Sequence, residues 1–335
     1  MGSTKLRLAL VALVGTGMGP LFGLLNPASG IGLTLCTDPS VTVCKLWVAS
    51  SGSDSNSGLS ADRPLRTLQR ANDLLCQQTL LRPCSGIGKN VKVILAPGTY
   101  PNASTVWSYS DWNYATQIVG QDVVMDGRHS TDWGLHIAPK SSRSNIQVFY
   151  IKWTRYLRGG VILGGGRHNR IYRNTFYRLG SYYSKKPETP AYAGIYMFDN
   201  QDTSIERSVF VDILNSGSGY GLEHGVYITH SSYNRVTGSG FSNVGGDPIR
   251  LRDAANYNTI SGNAFTNTGR KAYISDWRCV SSATKTCPGP DESLSWHNSF
   301  RDNVLRSPHP WHSSGFTARY CYDLPGPCPS LRIAG

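Results

Sequence analysis

The residues of this chain best suited to chemistry are His224, Tyr227, Asp247, Arg250, Arg252 and Asp253, all within one short stretch. Histidine and tyrosine exchange protons with a substrate. Arginine grips a carboxylate through two parallel N–H···O bonds. Such a set can neutralise an anionic group, take a proton from a carbon and give one to a departing oxygen. His224, Tyr227, Asp247 and Arg250 are the candidate catalytic residues. Arg252 and Asp253 are candidate substrate contacts, flanked by the aromatic side chains of Tyr196, Phe198 and Tyr273. Lys185 and Lys186 lie in an insertion, Ser181 to Ala191, that also holds Tyr182 and Tyr183 and would form a basic, aromatic wall.

These residues act together only if the fold stacks them, and a repeat supplies the stack. Segments of the form apolar-x-x-Asn-x-apolar, with substitutes at the Asn position, begin at Ile146, Ile171, Ile205, Val236, Ile260 and Phe300. Ahead of them run short alternating strands: Gly134 to Ile137, Gly160 to Leu163, Gly194 to Met197, Gly225 to Ile228, Pro248 to Leu251 and Lys271 to Ile274. Side chains alternate across a strand. The second and fourth residues of each copy, such as Val226 and Ile228, are therefore predicted to face inward, and the third, such as Tyr227 or Arg250, outward. The spacing is too short and too Gly-rich for helical repeats. The fold predicted is all-β, a parallel solenoid with its site on one outer sheet. Asn at the coil turns fits, because Asn tolerates left-handed backbone and its amide can bond along the stack. The recurring tyrosines could equally form a plain structural ladder.

Export is predicted from the N-terminus and the cysteines. Lys5 and Arg7 precede an apolar run from Leu8 to Leu25, and small residues follow at Ala28 to Gly30, the pattern of a secretory signal over 1–30. The 8 cysteines fall into close pairs, Cys36/Cys44, Cys76/Cys84, Cys279/Cys287 and Cys321/Cys328, which suit disulfides closing short loops better than zinc. A net charge of +12 attracts anionic partners. With export, nucleic acid drops out, and no membrane association is expected after signal cleavage.

The segment Trp47-Val48-Ala49-Ser50-Ser51-Gly52-Ser53-Asp54-Ser55-Asn56-Ser57-Gly58, then Pro64-Leu65-Arg66-Thr67-Leu68, resembles the opening of pectate-lyase-like right-handed parallel β-helix proteins. Val93 to Tyr100 and Asp126-Gly127 resemble the first-coil elements that follow. The resemblance implies a β-helix domain over 31–306 with an N-terminal cap at about 31–90, and a C-terminal tail over 307–335 that packs on or caps it. Pro64 to Gln78 reads as the amphipathic capping helix. The superfamily holds lyases, hydrolases, epimerases, esterases and phage tailspikes, so it specifies fold rather than reaction. Together with the reactive set, it implies a secreted, monomeric lyase that cleaves an acidic, uronic-acid-containing polysaccharide by β-elimination. Superfamily lyases also use Arg as the base, which makes Arg250 a second candidate, and some use Ca²⁺, for which Asp199, Asp247 and Asp253 would be the ligands here. No cofactor beyond that optional calcium is expected. The runner-up is a glycoside hydrolase with paired carboxylates among Glu223, Asp247, Asp253 and Asp199. Leu222 to Val226 and Ile249 to Arg252 faintly resemble polygalacturonase motifs, but this chain has no adjacent Asp-Asp pair. A non-catalytic carbohydrate-binding or adhesion protein is third.

Overall fold

The computed structural model describes residues 36, 38–77, 84, 86–139, 144–184, 192–219, 221–282, 286–287, 289–310, 315–322 and 331–332. The chain coils into parallel sheets. An eight-stranded sheet runs through Thr105–Trp107, Trp133–Ile137, Gly159–Arg167, Ala193–Gln201, His224–Thr229, Ile249–Arg252, Ala272–Trp277 and Thr317–Cys321, in sequence order. The remaining paired strands form a second, curled sheet that folds back on itself at the long strand Ile146–Thr154. Each strand pairs in parallel with its counterpart one coil away, as the predicted solenoid requires.

The repeat glycines explain how each coil closes. Inside the stack, the rings of Phe176, Phe210, Phe241 and Phe265 lie nearly parallel, with successive centroids 4.8, 4.7 and 4.9 Å apart. Gly225 faces the Phe241 ring, and a Cβ there would sit 2.7 Å from two ring carbons. Gly160 and Gly194 meet Phe176 and Phe210 in the same way. Because Gly225 and Val226 both turn inward, strict alternation breaks and His224 comes out on the same side as Tyr227. Overpacking of this kind costs about 1–3 kcal/mol. Gly225→Ala is expected to lower the denaturant midpoint accordingly; an unchanged midpoint would mean that the ring can retreat.

Two polar ladders fix the turns. The backbone N–H groups of Asn234 and Asn258 donate to the side-chain oxygens of Asn258 and Asn298. Those of Asn174, Ser208, Ser239 and Asn263 donate in turn to Ser208, Ser239, Asn263 and Asn303. Buried turn amides are thus satisfied coil by coil. The first repeat segment is displaced from the predicted start: Val148, not Ile146, pairs with Ile171.

The capping helix spans Leu68–Gln77, beginning later than predicted because Leu65 bridges Val48 in the first coil. It closes the sheet edge chemically. Val106 N–H donates to Gln69 Oε1, and Ser108 and Tyr109 N–H donate to Asn72 Oδ1. Donors that would otherwise template association are thereby occupied. Disulfides join Cys36 to Cys44, Cys76 to Cys84 and Cys279 to Cys287. Cys328, the 1–30 segment, Lys185 and Lys186 lie outside the described residues. Beyond residue 306 the stack continues, since Thr317–Cys321 and Leu331–Arg332 both pair as strands. No helix among the described residues is long and apolar enough to cross a membrane.

Candidate active site

On the outer face of the eight-stranded sheet, Tyr196, Tyr227 and Arg250 stand in one column, and Phe198, Thr229, Arg252 and Trp277 in the next. Tyr192, Tyr196, His224, Tyr227, Arg250 and Arg270 line a cleft of about 600 Å³, which Arg252, Trp277, Tyr322 and Leu222 complete.

His224 is buried, and its Nδ1 lies 2.8 Å from the Asp247 carbonyl oxygen. A carbonyl only accepts, so Nδ1 carries the proton and Nε2 keeps its lone pair. Burial first, then the Arg250 charge, hold the imidazole well below its usual pKa, so the ring is neutral. Gly246 is required beside it, since a Cβ there would lie 2.8 Å from Nδ1. The Tyr227 ring packs edge-on against His224 at 5.3 Å, and its hydroxyl accepts from Arg252 at 3.2 Å. That leaves the phenolic proton free to be given away.

Asp247 is fully buried behind the cleft. Its Oδ1 accepts the backbone N–H groups of Arg270, Lys271 and Ala272 at 3.1, 2.6 and 2.9 Å. Its Oδ2 accepts from Arg250 at 3.0 Å and from the Tyr322 hydroxyl at 2.7 Å. Burial raises the carboxyl's pKa, but Arg250 and the amides outweigh it, and the group stays ionised. A carboxylate so saturated holds Arg250 in place. Arg250 lies 4.4 Å from the Tyr322 ring centroid and its Nε makes no protein hydrogen bond. Arg252 is occupied differently. Its Nε lies 2.9 and 2.8 Å from the two Glu292 oxygens, its guanidinium sits over Trp277, and Glu292 is held by the Cys279 N–H. Arg270 has no carboxylate partner among the described residues, so the cleft keeps a surplus positive charge.

Three expectations change. Tyr273 is no platform: Ile249 pairs with Ile274 and Arg250 with Ser275, two residues later than the predicted alignment, so Tyr273 falls opposite Pro248, in the inward-facing place that Gly225 takes one coil earlier, and packs against Phe265 and Phe316. Asp253 lies at the corner after its strand, in left-handed backbone, and accepts the Ser293 N–H. Phe198 borders the cleft only through Tyr196, 5.7 Å away. The calcium candidates do not converge either. Asp199 pairs with His230 at 2.6 Å, raising the imidazole's pKa, and Asp247 is saturated. Among the described residues no group of three metal-ligating side chains forms.

Glu223 is fully buried beside the cleft wall; its Oε2 accepts the Tyr192 N–H at 3.3 Å and its Oε1 is unpaired. Burial pushes its pKa well up. A raised folded pKa gives stability that is present below the unfolded value, about 4.3, and is lost as pH rises through the folded value, at about 1.4 kcal/mol per pH unit between them. Glu223→Gln is therefore expected to match the wild type near pH 4 and to melt higher at pH 7. Equal melting at both would place a compensating charge near Glu223.

The residues that sequence reasoning missed are Tyr322, Glu292, Trp277, Arg270 and Tyr192. Trp277 had a signal: correcting the slip at Lys271 sets it beside Arg252.

The family described as right handed beta helix region matches residues 110–265. The architecture is the right-handed parallel β-helix that the opening segment resembles. No curated protein matches the chain. Among solved structures it is similar to pectate lyase Pel9A, at 11% identity and TM-score 0.38, over 89% of this chain and 79% of that one. It is similar also to XylC in complex with xylose, at 11% identity and TM-score 0.31, over 69% and 55%. The GH136 lacto-N-biosidase from Eubacterium ramulus follows at 10% identity and TM-score 0.29, over 86% and 67%.

Proposed function

We propose that this chain is an exported carbohydrate-active enzyme, a lyase that cleaves an acidic, uronic-acid-containing polysaccharide by β-elimination. The observation that carries the reading is the neutral His224, its Nδ1 proton spent on a carbonyl and its Nε2 free, set beside Arg250 and the uncompensated Arg270. Arg250 and Arg270 receive the uronate carboxylate, which acidifies the neighbouring C5–H. His224 Nε2 takes that proton, the C4–O bond breaks as the C4–C5 double bond forms, and the Tyr227 hydroxyl protonates the departing oxygen. Binding the carboxylate also offsets the Arg250 charge that depresses His224, so the base strengthens when substrate arrives.

Hydrolysis would need two carboxyl groups facing the bond. Among the described residues the cleft wall offers none, which favours elimination. The three disulfides support an oxidising, exported setting. The test is turnover on polyuronates. Ultraviolet absorbance from the new conjugated double bond supports the lyase, and reducing ends without it would indicate a hydrolase. Binding with neither would leave an adhesion protein.

A further inference from the structure

An aromatic ladder with one gap runs along the corner where the chain leaves the cleft-bearing sheet. His168, Asp202, Tyr233, Tyr257 and His297 succeed one another there, coil by coil, through backbone hydrogen bonds. All five have left-handed backbone, with φ of 59°, 49°, 62°, 56° and 56°. That conformation is commonest for Gly, Asn, Asp and His and unusual for tyrosine. Tyr233 and Tyr257 nevertheless stack at 5.0 Å, and Tyr257 and His297 at 4.9 Å, all largely exposed.

The stack breaks at Asp202, which has no ring. It resumes at His168, backed by Trp112 at 4.8 Å. The break leaves His168 and Tyr233 two strand spacings apart, roughly 10 Å, which is room for one ring with contact on both faces. A cavity of about 470 Å³ lies at this point. Its floor is Asp202, bonded to His168 Nδ1 at 2.7 Å and 3.7 Å from Arg235. Gln201, Thr259 and Arg167 also line it, and Arg167 has no carboxylate partner among the described residues. A flat apolar face with a few convergent polar groups is the usual make-up of a small-ligand site.

We propose that this slot holds one pyranose ring of an anionic polysaccharide, stacked on the open face of Tyr233 with its acidic group toward Arg167 and Arg235. The slot is separate from the cleft, and binding there does not depend on cleavage. It anchors the polymer to the flank of the solenoid.

The test is affinity electrophoresis of the full chain through gels holding polygalacturonate, alginate or hyaluronate, in an Arg250→Ala background that spares the polymer. At least one polymer is expected to retard the protein. Tyr233→Ala is expected to raise the apparent Kd about tenfold, while Tyr233→Phe keeps it. Asp202→Tyr, which fills the slot with the chain's own ring, should abolish this binding without touching a cleft residue. The same change in an otherwise wild-type chain should leave its turnover of short oligosaccharides unaltered. Unchanged retardation in both Tyr233→Ala and Asp202→Tyr, or no retardation by any of the three polymers, overturns the proposal. Loss of turnover with retained slot binding would count against the cleft chemistry alone.

Discussion

His224→Ala is expected to lower kcat on a polyuronate by about 10²–10⁴, the usual worth of a positioned general base, with KM nearly unchanged. The reason is geometric. The ring is locked by its Nδ1 bond to the Asp247 carbonyl and by the Tyr227 edge, so removing it deletes proton transfer and leaves the arginines that bind substrate in place. A melting curve like that of the wild type must accompany the loss. A wild-type rate in a folded variant would take the base away from His224 and leave Arg250 as the alternative.

The same environment sets the pH behaviour. Burial and Arg250 both depress the His224 pKa, so the free base persists into acid. The acid limb of kcat/KM should therefore lie below the ordinary histidine value of about 6.5. For stability the sign is the reverse of a salt-bridged histidine. Above about pH 6.5 folded and unfolded states are both neutral at this site. As pH falls below it the unfolded chain gains a proton that the folded chain refuses, and stability declines. In Arg250→Ala, proton NMR should show the His224 pKa rising, because the nearest positive charge is gone.

The sequence made the solenoid legible because its signals are local. Inward pairs such as Val226 and Ile228, the glycine before four of the six, and the turn asparagines all recur within a coil, and their register matched in every strand copy but one. The exception, at Lys271, failed because a shift of two residues leaves the alternation in phase and so goes undetected by it. Ile146 misled for a related reason: its strand runs straight through a point where later coils turn, so two phases of the same apolar pattern were present. His224, Tyr227 and Arg250 were readable as neighbours by the same alignment. What stayed hidden depends on contacts from far along the chain. Tyr322 reaches Asp247 across 75 positions, and Glu292 reaches Arg252 across 40. Nor does periodicity reveal that backbone amides saturate Asp247.

That saturation makes Asp247 the position with the largest expected effect on stability. Removing one partner of a buried ion pair strands the other charge and costs about 3–5 kcal/mol. Asp247→Ala would strand the Arg250 guanidinium, the Tyr322 hydroxyl and three backbone N–H groups at once. Asp247→Asn is the sharper experiment. Its oxygen can still serve the three amides, but its NH₂ then faces the Arg250 donors, so the loss falls mainly on the arginine. The Asp247 pKa is depressed, so the carboxylate's contribution is present above its unfolded value of about 3.9 and lost as pH falls through the folded one. The difference in stability between wild type and Asp247→Asn should accordingly be greatest near neutrality and shrink in acid. Below its melting temperature the variant should show a raised KM for polyuronate with a smaller change in kcat, because the guanidinium that receives the substrate carboxylate has lost its anchor. If Asp247 instead transferred protons itself, kcat would collapse with KM intact.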